Sequence, residues 1–346
     1  MTAYGIIGTG SYLPPLVVSN EEVADRAGVT AEWIERKTRI TERRHAQPHE
    51  AASDLAAAAA GAALCDAGVD PTQIGCVVVA TSTPDHPQPA TANLVQHRLG
   101  AHGAAAFDLN AVCSGFVYAA EVARSLLLAG RGSPYALVVG VDVYSRILDH
   151  ADRRTAILFG DGAGAVVLGP VPAGAGLEPA LLRSLGEGHD LIGVAAGGSR
   201  LPASQLTVAE GEHHFRMDGR GVRAFVHEQL PRLVGDVLSD AGLGPDQVDH
   251  FIPHQANGAM LADVAPALGL SEQATRLTVG RYGNTGAASV PITLDAVNQE
   301  GRLHPGDRVL LAAFGGGMNL AASLCTWSRA PRPVVPLTRS VALAGH

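Results

Sequence analysis

Short runs of apolar, often β-branched residues alternate along the chain with longer stretches rich in alanine and leucine. Runs such as CVVVA and YALVVGV are typical of buried strands. The alanine-rich stretches have the length of helices, and glycine, the residue that most often ends a helix, follows each of them closely. The alternation predicts an α/β fold. Strands are predicted over 76–80, 104–109, 135–141 and 308–313, and helices over 51–67, 115–129 and 222–241.

Two segments of the chain recur in the same order. DAGVDPTQI at 66–74 returns 174 residues later as DAGLGPDQV at 240–248, with five of nine positions identical. FGDGAGAVVL, which begins at Phe159, is echoed by FGGGMNLAASL, which begins at Phe314. Similar offsets in the same order indicate two duplicated α/β halves. The predicted units are an N-terminal half over 1–170, a C-terminal half over 177–329 and a tail over 330–346.

Composition narrows the class of protein. The chain has 346 residues, of which 17% are charged, so it is long enough for a sizeable core and lacks the composition of a disordered chain. A formal net charge of −8 argues against a nucleic-acid partner. No apolar run approaches the roughly 18 residues of a membrane span, and the N-terminus lacks the pattern of a signal peptide. Four cysteines without metal or disulfide spacing predict a metal-free protein of the reducing cytoplasm.

Cys113 is the candidate nucleophile. It lies in FDLNAVCSGF, where a predicted strand ends at about Leu109 and a helix begins just after the cysteine. A sulfur at a helix N-terminus is favoured as the thiolate by the helix dipole and the free N–H groups. The other three cysteines, Cys65, Cys76 and Cys325, are predicted to be small buried apolar residues.

Polar residues that could assist a cysteine follow strands of the second half. His254 lies in HFIPHQAN, directly after a predicted strand, and Asn284 lies in the glycine-bounded turn of RYGNTGAASVP. Active sites of α/β proteins form at such strand ends, although Asn284 taken alone could equally be a turn residue. Gly316, in AAFGGGMN, could form a tight turn or direct a backbone N–H at a developing oxyanion. The glycines of GIIGTGSY and FGDGAGA lack the full dinucleotide and phosphate-loop patterns and are interpreted as positions of close backbone packing.

Together these motifs resemble the β-ketoacyl-acyl carrier protein synthase III family of the thiolase superfamily. The resemblance runs from Gly5 to about Trp327 and includes, in order, AEWIERKTRI, NAVCSGF, FGDGAGAVVL, HQAN and GNTGAASVP. It implies the thiolase-like α/β fold, in which two duplicated halves form a layered α-β-α-β-α architecture. It also implies a homodimer whose partner subunit helps to enclose the acyl pocket.

The resemblance implies a decarboxylative condensing enzyme. Cys113 would take an acyl group from an acyl-CoA primer, with the N–H groups of Cys113 and Gly316 as the oxyanion hole. His254 and Asn284 would donate hydrogen bonds to the thioester carbonyl of malonyl-CoA or malonyl-acyl carrier protein as CO₂ leaves. The resulting carbanion would attack the acyl-cysteine and give a 3-oxoacyl thioester. CoA thioesters are substrates in this scheme, which implies no cofactor and no metal.

Further residues match the substrate channel of the family. By the resemblance, contacts with coenzyme A are assigned to Trp33, Lys37, Thr38, Arg153, Gly219 and Asn257. Gln88 stands where relatives commonly carry an apolar residue that caps the acyl pocket, so we expect it to alter the choice of primer. Arg39 and Arg154 stand where glycine is common, and they are expected to make the mouth of the channel more basic.

Two other functions stay open on the sequence. One is transfer of the acyl group from Cys113 to an alcohol or amine without condensation, and the other is a silent partner subunit of a second condensing enzyme. The intact Asn284 favours condensation. The stretch after HQAN, GAMLADVAPALGLSE, contains no basic residue. It predicts an atypical extender, either malonyl-CoA itself or a dedicated carrier protein that meets relocated arginines such as Arg220 and Arg223.

Overall fold

The computed structural model of the chain describes residues 3–130 and 132–330, so the predicted tail beyond residue 330 lies outside the described residues. Its strands are β1 (Ala3–Tyr12), β2 (Leu16–Ser19), β3 (Glu42–His45), β4 (Ile74–Ala80), β5 (Ala105–Leu109), β6 (Tyr135–Asp142), β7 (Gly162–Val171), β8 (Gly176–Leu177), β9 (Leu181–Ser184), β10 (Ile192–Gly193), β11 (Arg216–Met217), β12 (His250–Pro253), β13 (Arg308–Gly315) and β14 (Asn319–Thr326). Its helices are α1 (Asn20–Ala27), α2 (Ala31–Thr38), α3 (Ala52–Ala67), α4 (Thr91–Leu99), α5 (Gly115–Leu128), α6 (Gln205–Ala209), α7 (Gly219–Asp240), α8 (Gly258–Leu268), α9 (Val279–Tyr282) and α10 (Ser289–Gln299).

Each predicted strand and helix is present, with ends that lie within a few residues of the prediction. Helix α7, predicted from residue 222, begins at Gly219 because the side chain of Asp218 accepts the N–H groups of Arg220 and Gly221 and caps the helix there. The repeated nonapeptide has the same structure in both copies. In each, the end of a long helix is followed by a single 3-10 turn and then by a strand.

The two large sheets repeat one arrangement of strands. The first has the order β1-β7-β6-β4-β5, and the second has the order β12-β13-β14-β8, with β9 also paired to β14. In the first sheet β4 and β6 are parallel and β7 is antiparallel to β6. In the second sheet β12 and β13 are parallel and β14 is antiparallel to β13. The repetition agrees with two duplicated halves, while the position of their boundary between residues 170 and 177 stays a prediction.

Helices and sheets alternate in five layers. Buried residues of α3 and α4, including Leu55 and Val95, form one apolar cluster with the outer face of the first sheet. Helices α5 and α10 lie between the sheets, where Phe116 and Leu294 join a central cluster. Helices α7 and α8 cover the outer face of the second sheet. The predicted α-β-α-β-α layering is therefore observed. No helix within residues 3–130 and 132–330 is both long and apolar enough to cross a membrane.

The prediction that the three remaining cysteines are buried is wrong for one of them. Cys76 and Cys325 are buried on β4 and β14, but Cys65 is exposed. Cys65 lies in the last turn of α3, where the neighbouring Leu64 faces the first sheet and Cys65 faces away from it.

The glycines interpreted as close-packing positions do bring backbones together. An added Cβ at Gly10 of β1 would lie 2.4 Å from the backbone nitrogen of Ala63 on α3. An added Cβ at Gly164, in FGDGAGA, would lie 2.6 Å from the backbone nitrogen of Ile292 on α10. Neither place has room for a methyl group, because real β-carbons essentially never approach other atoms this closely. The interpretation of both glycine patterns is confirmed.

We expect Gly10→Ala to lower the free energy of unfolding by about 1–3 kcal/mol, because the added methyl group forces β1 away from α3. Gly61→Ala is the matched control. Gly61 lies within α3, has no atom within 4 Å of an added Cβ, and its replacement should stabilise the protein by about 0.5–1 kcal/mol. Thermal unfolding followed by circular dichroism would then give a lower Tm for Gly10→Ala and a higher Tm for Gly61→Ala. Equal Tm values for the two variants would contradict the close packing.

Candidate active site

A tight turn presents Cys113 at the start of α5. Residues Val112–Ser114 form a single 3-10 turn between the end of β5 and Gly115, the first residue of the helix. Val112 has a φ of 49°, a left-handed conformation that a β-branched residue adopts only under strain. The structure thus places Cys113 at the expected strand-to-helix turn, with its side chain buried.

The surroundings of the Cys113 thiol disfavour its charged form. Burial, and to a smaller extent the nearby carboxylate of Asp142, raises the pKa of the thiol well above its usual value. Hydrogen bonds from the Tyr144 side chain and from the Cys113 backbone lower that pKa by a smaller amount. The helix terminus was expected to favour the thiolate, whereas burial acts on this thiol in the opposite direction.

His254 is buried directly after β12 and is held in one orientation. Its Nδ1 lies 2.7 Å from the Oγ of Ser289 on α10. That oxygen also accepts the backbone N–H of Gln255. We therefore assign the Ser289 hydroxyl as the donor to Nδ1, which leaves the ring proton on Nε2. Burial lowers the pKa of His254 to about 3. The ring is therefore neutral, and its Nε2 is a hydrogen-bond donor.

Asn284 supplies a second neutral donor. Its backbone N–H donates to the carbonyl of Leu158, and its carbonyl accepts the N–H of Gly160, so the turn is fixed to the first half of the chain. Its side-chain oxygen accepts the N–H of Gly286 at 2.9 Å. Because the oxygen is occupied, the amide nitrogen is the part of the side chain that can bind a substrate oxygen. Asn284 is thus a turn residue and a possible donor at once.

The end of strand β13 contacts both Cys113 and His254. An added Cβ at Gly315, the last residue of β13, would lie 2.7 Å from the backbone nitrogen of Cys113. The N–H of Cys113 therefore lies against Gly315 and next to Gly316, the other predicted oxyanion donor. The ring of His254 packs edge-on against Phe314 of the same strand, with 5.1 Å between the ring centroids.

A cavity of about 1300 Å³ reaches Asn284. Its lining contains every residue that the resemblance assigned to coenzyme A: Trp33, Lys37, Thr38, Arg153, Gly219 and Asn257. Asn257 also has a structural role, because its side-chain oxygen accepts the N–H groups of Ala259 and Met260 and caps α8. Thr38 also has a structural role, because its hydroxyl donates to the carbonyl of Ile34 within α2.

The cavity lining has more cationic than anionic side chains, because the carboxylates of Asp190 and Asp218 face five lysine and arginine side chains. It includes Lys37, Arg153 and Arg220, and no ion pair is recorded for these three among the residues that the structure describes. Arg154 also lines the cavity, but its guanidinium lies 2.9 Å from the carboxylate of Asp152, which offsets its charge. In the same described residues, no group of three or more His, Cys, Asp or Glu side chains is arranged to hold a metal ion.

Some predicted residues lie elsewhere. Cys113, His254 and Gly316 are not in the lining of the cavity and are buried beyond it. Gln88 is exposed and does not line the cavity either, so its place in an acyl pocket stays a prediction. Arg39 does not add charge to this mouth, because it lines a separate cavity of about 670 Å³. Glycine is common at its position because the residue ends α2 with a φ of 57°.

Sequence reasoning missed Tyr144. Its side chain is buried, it lowers the pKa of the Cys113 thiol, and its hydroxyl lies 3.0 Å from the Oγ of Ser82. Tyr144 follows the C-terminal end of β6 by two residues. Strand ends are where the other site residues were found, and that position is the signal that could have pointed to it.

Comparison with known proteins gives the family. The family model described as 3-oxoacyl-[acyl-carrier-protein (ACP)] synthase III matches residues 107–186, and the model of its C-terminal part matches residues 238–327. The chain is 53% identical over 327 residues to the acetoacetyl CoA synthase NphT7 of Streptomyces sp. (strain CL190), a match that covers 94% of this chain and 98% of that protein. The chain belongs to the 3-oxoacyl-acyl-carrier-protein synthase III family.

Other members of the synthase III family agree with this assignment. The chain is 43% identical over 325 residues to the β-ketoacyl-[acyl-carrier-protein] synthase III of Symbiobacterium thermophilum, covering 94% of this chain and 98% of that protein. The crystal structure of the synthase III of Pseudomonas aeruginosa PAO1 has a TM-score of 0.87 at 39% identity, and covers 95% of this chain and 99% of that chain. The thiolase-like fold is confirmed, and so is an acyltransferase that condenses an acyl thioester with a malonyl thioester. CoA thioesters are substrates of the synthase and not resident cofactors.

The low pKa of His254 predicts how the rate of decarboxylation depends on pH. Because burial lowers this pKa to about 3, the ring should stay neutral across the range in which an ordinary histidine, with a pKa of about 6.5, gains its proton. Decarboxylation of malonyl-CoA by Cys113→Ala, in which the thiol cannot contribute, is therefore expected to show no loss of rate between about pH 8 and pH 5.5. A sigmoidal fall near pH 6.5 would mean that His254 titrates normally and would contradict the buried, neutral donor.

Proposed function

We propose that this synthase forms acetoacetyl-CoA from acetyl-CoA and malonyl-CoA. The observation that carries the choice of extender is helix α8 at the mouth of the cavity, which contains no lysine or arginine to receive an acidic carrier protein. The cations inside the lining suit the phosphates of coenzyme A. The similarity to an acetoacetyl CoA synthase over 98% of that protein supports the same product. Decarboxylation supplies the driving force for the carbon–carbon bond.

In the first half-reaction the sulfur of Cys113 attacks the carbonyl carbon of acetyl-CoA. The bond to the CoA sulfur breaks, the thiol proton leaves with that sulfur as free CoA, and an acetyl-cysteine remains. The negative charge that develops on the carbonyl oxygen is stabilised by the N–H groups of Cys113 and Gly316. The contact of the Cys113 nitrogen with Gly315 supports this role, because it places the two N–H groups at the same end of β13.

In the second half-reaction malonyl-CoA occupies the same cavity. The Nε2–H of His254 and the amide of Asn284 donate to its thioester carbonyl, so that the electron pair released with CO₂ is held as an enolate. The enolate carbon attacks the acetyl-cysteine, and the sulfur of Cys113 leaves and regains a proton. Both donors are neutral, so neither stabilises the departing carboxylate, and both gain strength as the enolate charge develops.

The mouth of the cavity supports CoA as the carrier of the malonyl group. Helix α8, which borders the cavity at Met260, contains no lysine or arginine. Its Asp263 pairs with Arg223 at 2.6 Å and offsets one of the arginines that could have received a carrier protein. The unpaired cations line the cavity itself, where a pyrophosphate and a ribose phosphate would lie. Electrostatic steering of an acidic carrier protein is favoured by basic residues around the mouth, and α8 contributes none.

We expect acetoacetyl-CoA formation with kcat/KM at least about tenfold higher for malonyl-CoA than for malonyl-acyl carrier protein, and little loss between low and high salt. Asp263→Asn is the informative variant. It frees the charge of Arg223 and should raise the activity with the carrier protein at low salt while leaving the activity with malonyl-CoA unchanged.

The controls separate the extender from the chemistry. Cys113→Ala should form no acetyl adduct by mass spectrometry of the intact protein and no acetoacetyl-CoA. A wild-type enzyme that strongly prefers the carrier protein, with a rate that falls steeply with salt, would overturn the choice of malonyl-CoA. An acetyl adduct on a cysteine other than Cys113 would overturn the assignment of the nucleophile.

The open edge of β5 supports a homodimer. β5 is the last strand of the first sheet, and in the described chain it has a neighbour on one side only. Its Phe107 and Leu109 are only half-buried, so a second copy could extend the sheet across this edge. The exposed Gln88 lies in the loop after β4, the neighbour of β5, from which it could reach the acyl pocket of a partner.

The boundary of the two halves between residues 170 and 177 and a cytoplasmic location both stay predictions from the sequence.

Sedimentation velocity at micromolar concentration tests the homodimer. The expected species has twice the mass of one chain, because pairing two β5 edges would satisfy their exposed backbone groups and cover the half-buried Phe107 and Leu109. A fully active species with the mass of one chain would contradict it, and with it the assignment of Gln88 to the pocket of a partner subunit.

A further inference from the structure

The carboxylate of Asp142, the last residue of β6, is buried and joins the two halves of the chain. Its Oδ1 accepts the backbone N–H and the hydroxyl of Ser82, each at 2.9 Å, and the hydroxyls of Thr81 and Thr83. Its Oδ2 accepts the backbone N–H of Ala287 at 2.8 Å. One side chain thus connects a loop of the first half to a turn of the second half, and no step of the proposed function uses it.

The turn that Asp142 contacts is the turn of Asn284. The side-chain oxygen of Asn284 accepts the N–H of Gly286 at 2.9 Å, and the next N–H, that of Ala287, donates to Asp142. The carboxylate also lies directly against Gly286, because an added Cβ at that glycine would overlap Oδ2. The direction of the Asn284 amide nitrogen therefore depends on where Gly286 and Ala287 lie, and Asp142 holds both in place.

A carboxyl group is required for this connection. Its two oxygens accept backbone N–H groups from different segments, one from Ser82 and one from Ala287, and a backbone N–H cannot become an acceptor. The amide of an asparagine has a single oxygen, so its NH₂ would face one of the two N–H groups. A protonated carboxyl could direct its proton at a hydroxyl beside Oδ1 and still accept both, so the connection does not depend on the charge of Asp142.

We propose that Asp142 is a positioning residue for the second half-reaction, and that it holds the turn of residues 284–287 so that the amide nitrogen of Asn284 is directed at the thioester carbonyl of the malonyl group. Asp142 does not line the cavity, so it acts through Asn284 and not on the substrate. The proposal rests on Asn284 being a donor in the proposed function. A hydrogen bond to a developing enolate weakens steeply when its direction changes, so a displaced turn costs rate.

The test compares the two half-reactions in Asp142→Asn. Release of CO₂ from malonyl-CoA depends on Asn284, and we expect its rate to fall about tenfold. Acetylation of Cys113 by acetyl-CoA, followed by mass spectrometry of the intact protein, should not slow, because loss of the negative charge lowers the pKa of the thiol. An equal loss in both half-reactions, or an unchanged release of CO₂, would overturn the proposal.

A double mutant shows whether Asp142 acts through Asn284. Asn284→Ala removes the donor, so the further change Asp142→Asn should lower the remaining release of CO₂ by less than about twofold. A tenfold loss in the Asn284→Ala background would mean that Asp142 acts by another route, and it would also overturn the proposal.

Asp295→Asn is the matched control. Asp295 of α10 is also buried and also connects the two halves, but its hydrogen bonds come from side chains, the hydroxyls of Thr9 and Ser11 and the amide of Gln299. Hydroxyl groups can rotate and become acceptors, so an asparagine amide can be accommodated there. This variant should release CO₂ at the wild-type rate. A loss as large as that of Asp142→Asn would contradict a specific role for Asp142.

Replacement of Ala287 by lactic acid tests the same contact without changing a side chain. Introduced by nonsense suppression, it puts an ester oxygen in place of the N–H and removes the one hydrogen bond to Oδ2, so the proposal stays testable even if Asp142→Asn does not fold. Release of CO₂ should again fall about tenfold. Acetylation of Cys113 should keep the wild-type rate, because the charge of Asp142 is unchanged. A wild-type rate of CO₂ release would contradict the proposal.

The outcomes separate this proposal from the proposed function. If the wild type forms no acetoacetyl-CoA but releases CO₂, and Asp142→Asn slows that release, only the proposed product fails. If the wild type forms acetoacetyl-CoA and Asp142→Asn releases CO₂ at the wild-type rate, only the role of Asp142 fails.

Discussion

Direct contact between backbones of the two halves is the constraint on which the site depends. An added Cβ at Gly140 of β6 would lie 2.4 Å from the carbonyl oxygen of Ala287, and one at Gly315 would lie 2.7 Å from the nitrogen of Cys113. Each contact joins a strand of one half to a turn of the other. Because no side chain separates them, the strands hold the turns that contain Cys113 and Ala287 in place. A displacement of about an ångström would already misalign groups whose effect depends on near-ideal geometry.

The same packing removes the site from water, and burial then decides how each group can act. It raises the pKa of the Cys113 thiol, lowers the pKa of His254 to about 3 and raises the pKa of Asp142 to about 6. Each shift disfavours a charge. Stabilising an enolate with neutral donors suits such a place well. A thiolate does not, because burial and the nearby carboxylate of Asp142 both raise the pKa of the Cys113 thiol.

Much of this could be predicted from the sequence because it is written in contiguous segments. The alternation of strands and helices, the repeated nonapeptide and the turn that carries Cys113 are local patterns, and the structure keeps them within a few residues. The residues that the resemblance assigned to coenzyme A line one cavity, and short motifs such as AEWIERKT and HQAN each carry several of them. The errors were local as well. Cys65 was predicted to be buried but lies on the exposed face of α3, and Arg39, at the end of α2, lies outside the cavity that the coenzyme A residues line.

By itself the sequence determined the fold class and, through the resemblance, the reaction, and it predicted two duplicated halves and a candidate nucleophile. Only the tertiary structure decided that Tyr144 lowers the pKa of Cys113, that Ser289 lies 2.7 Å from the ring of His254, and that Asp263 offsets Arg223 from forty residues away. Those facts depend on which side chains meet when the two sheets pack on α5 and α10, and on how much water that packing excludes. Neither property belongs to any single stretch of the chain, so no local pattern could reveal it.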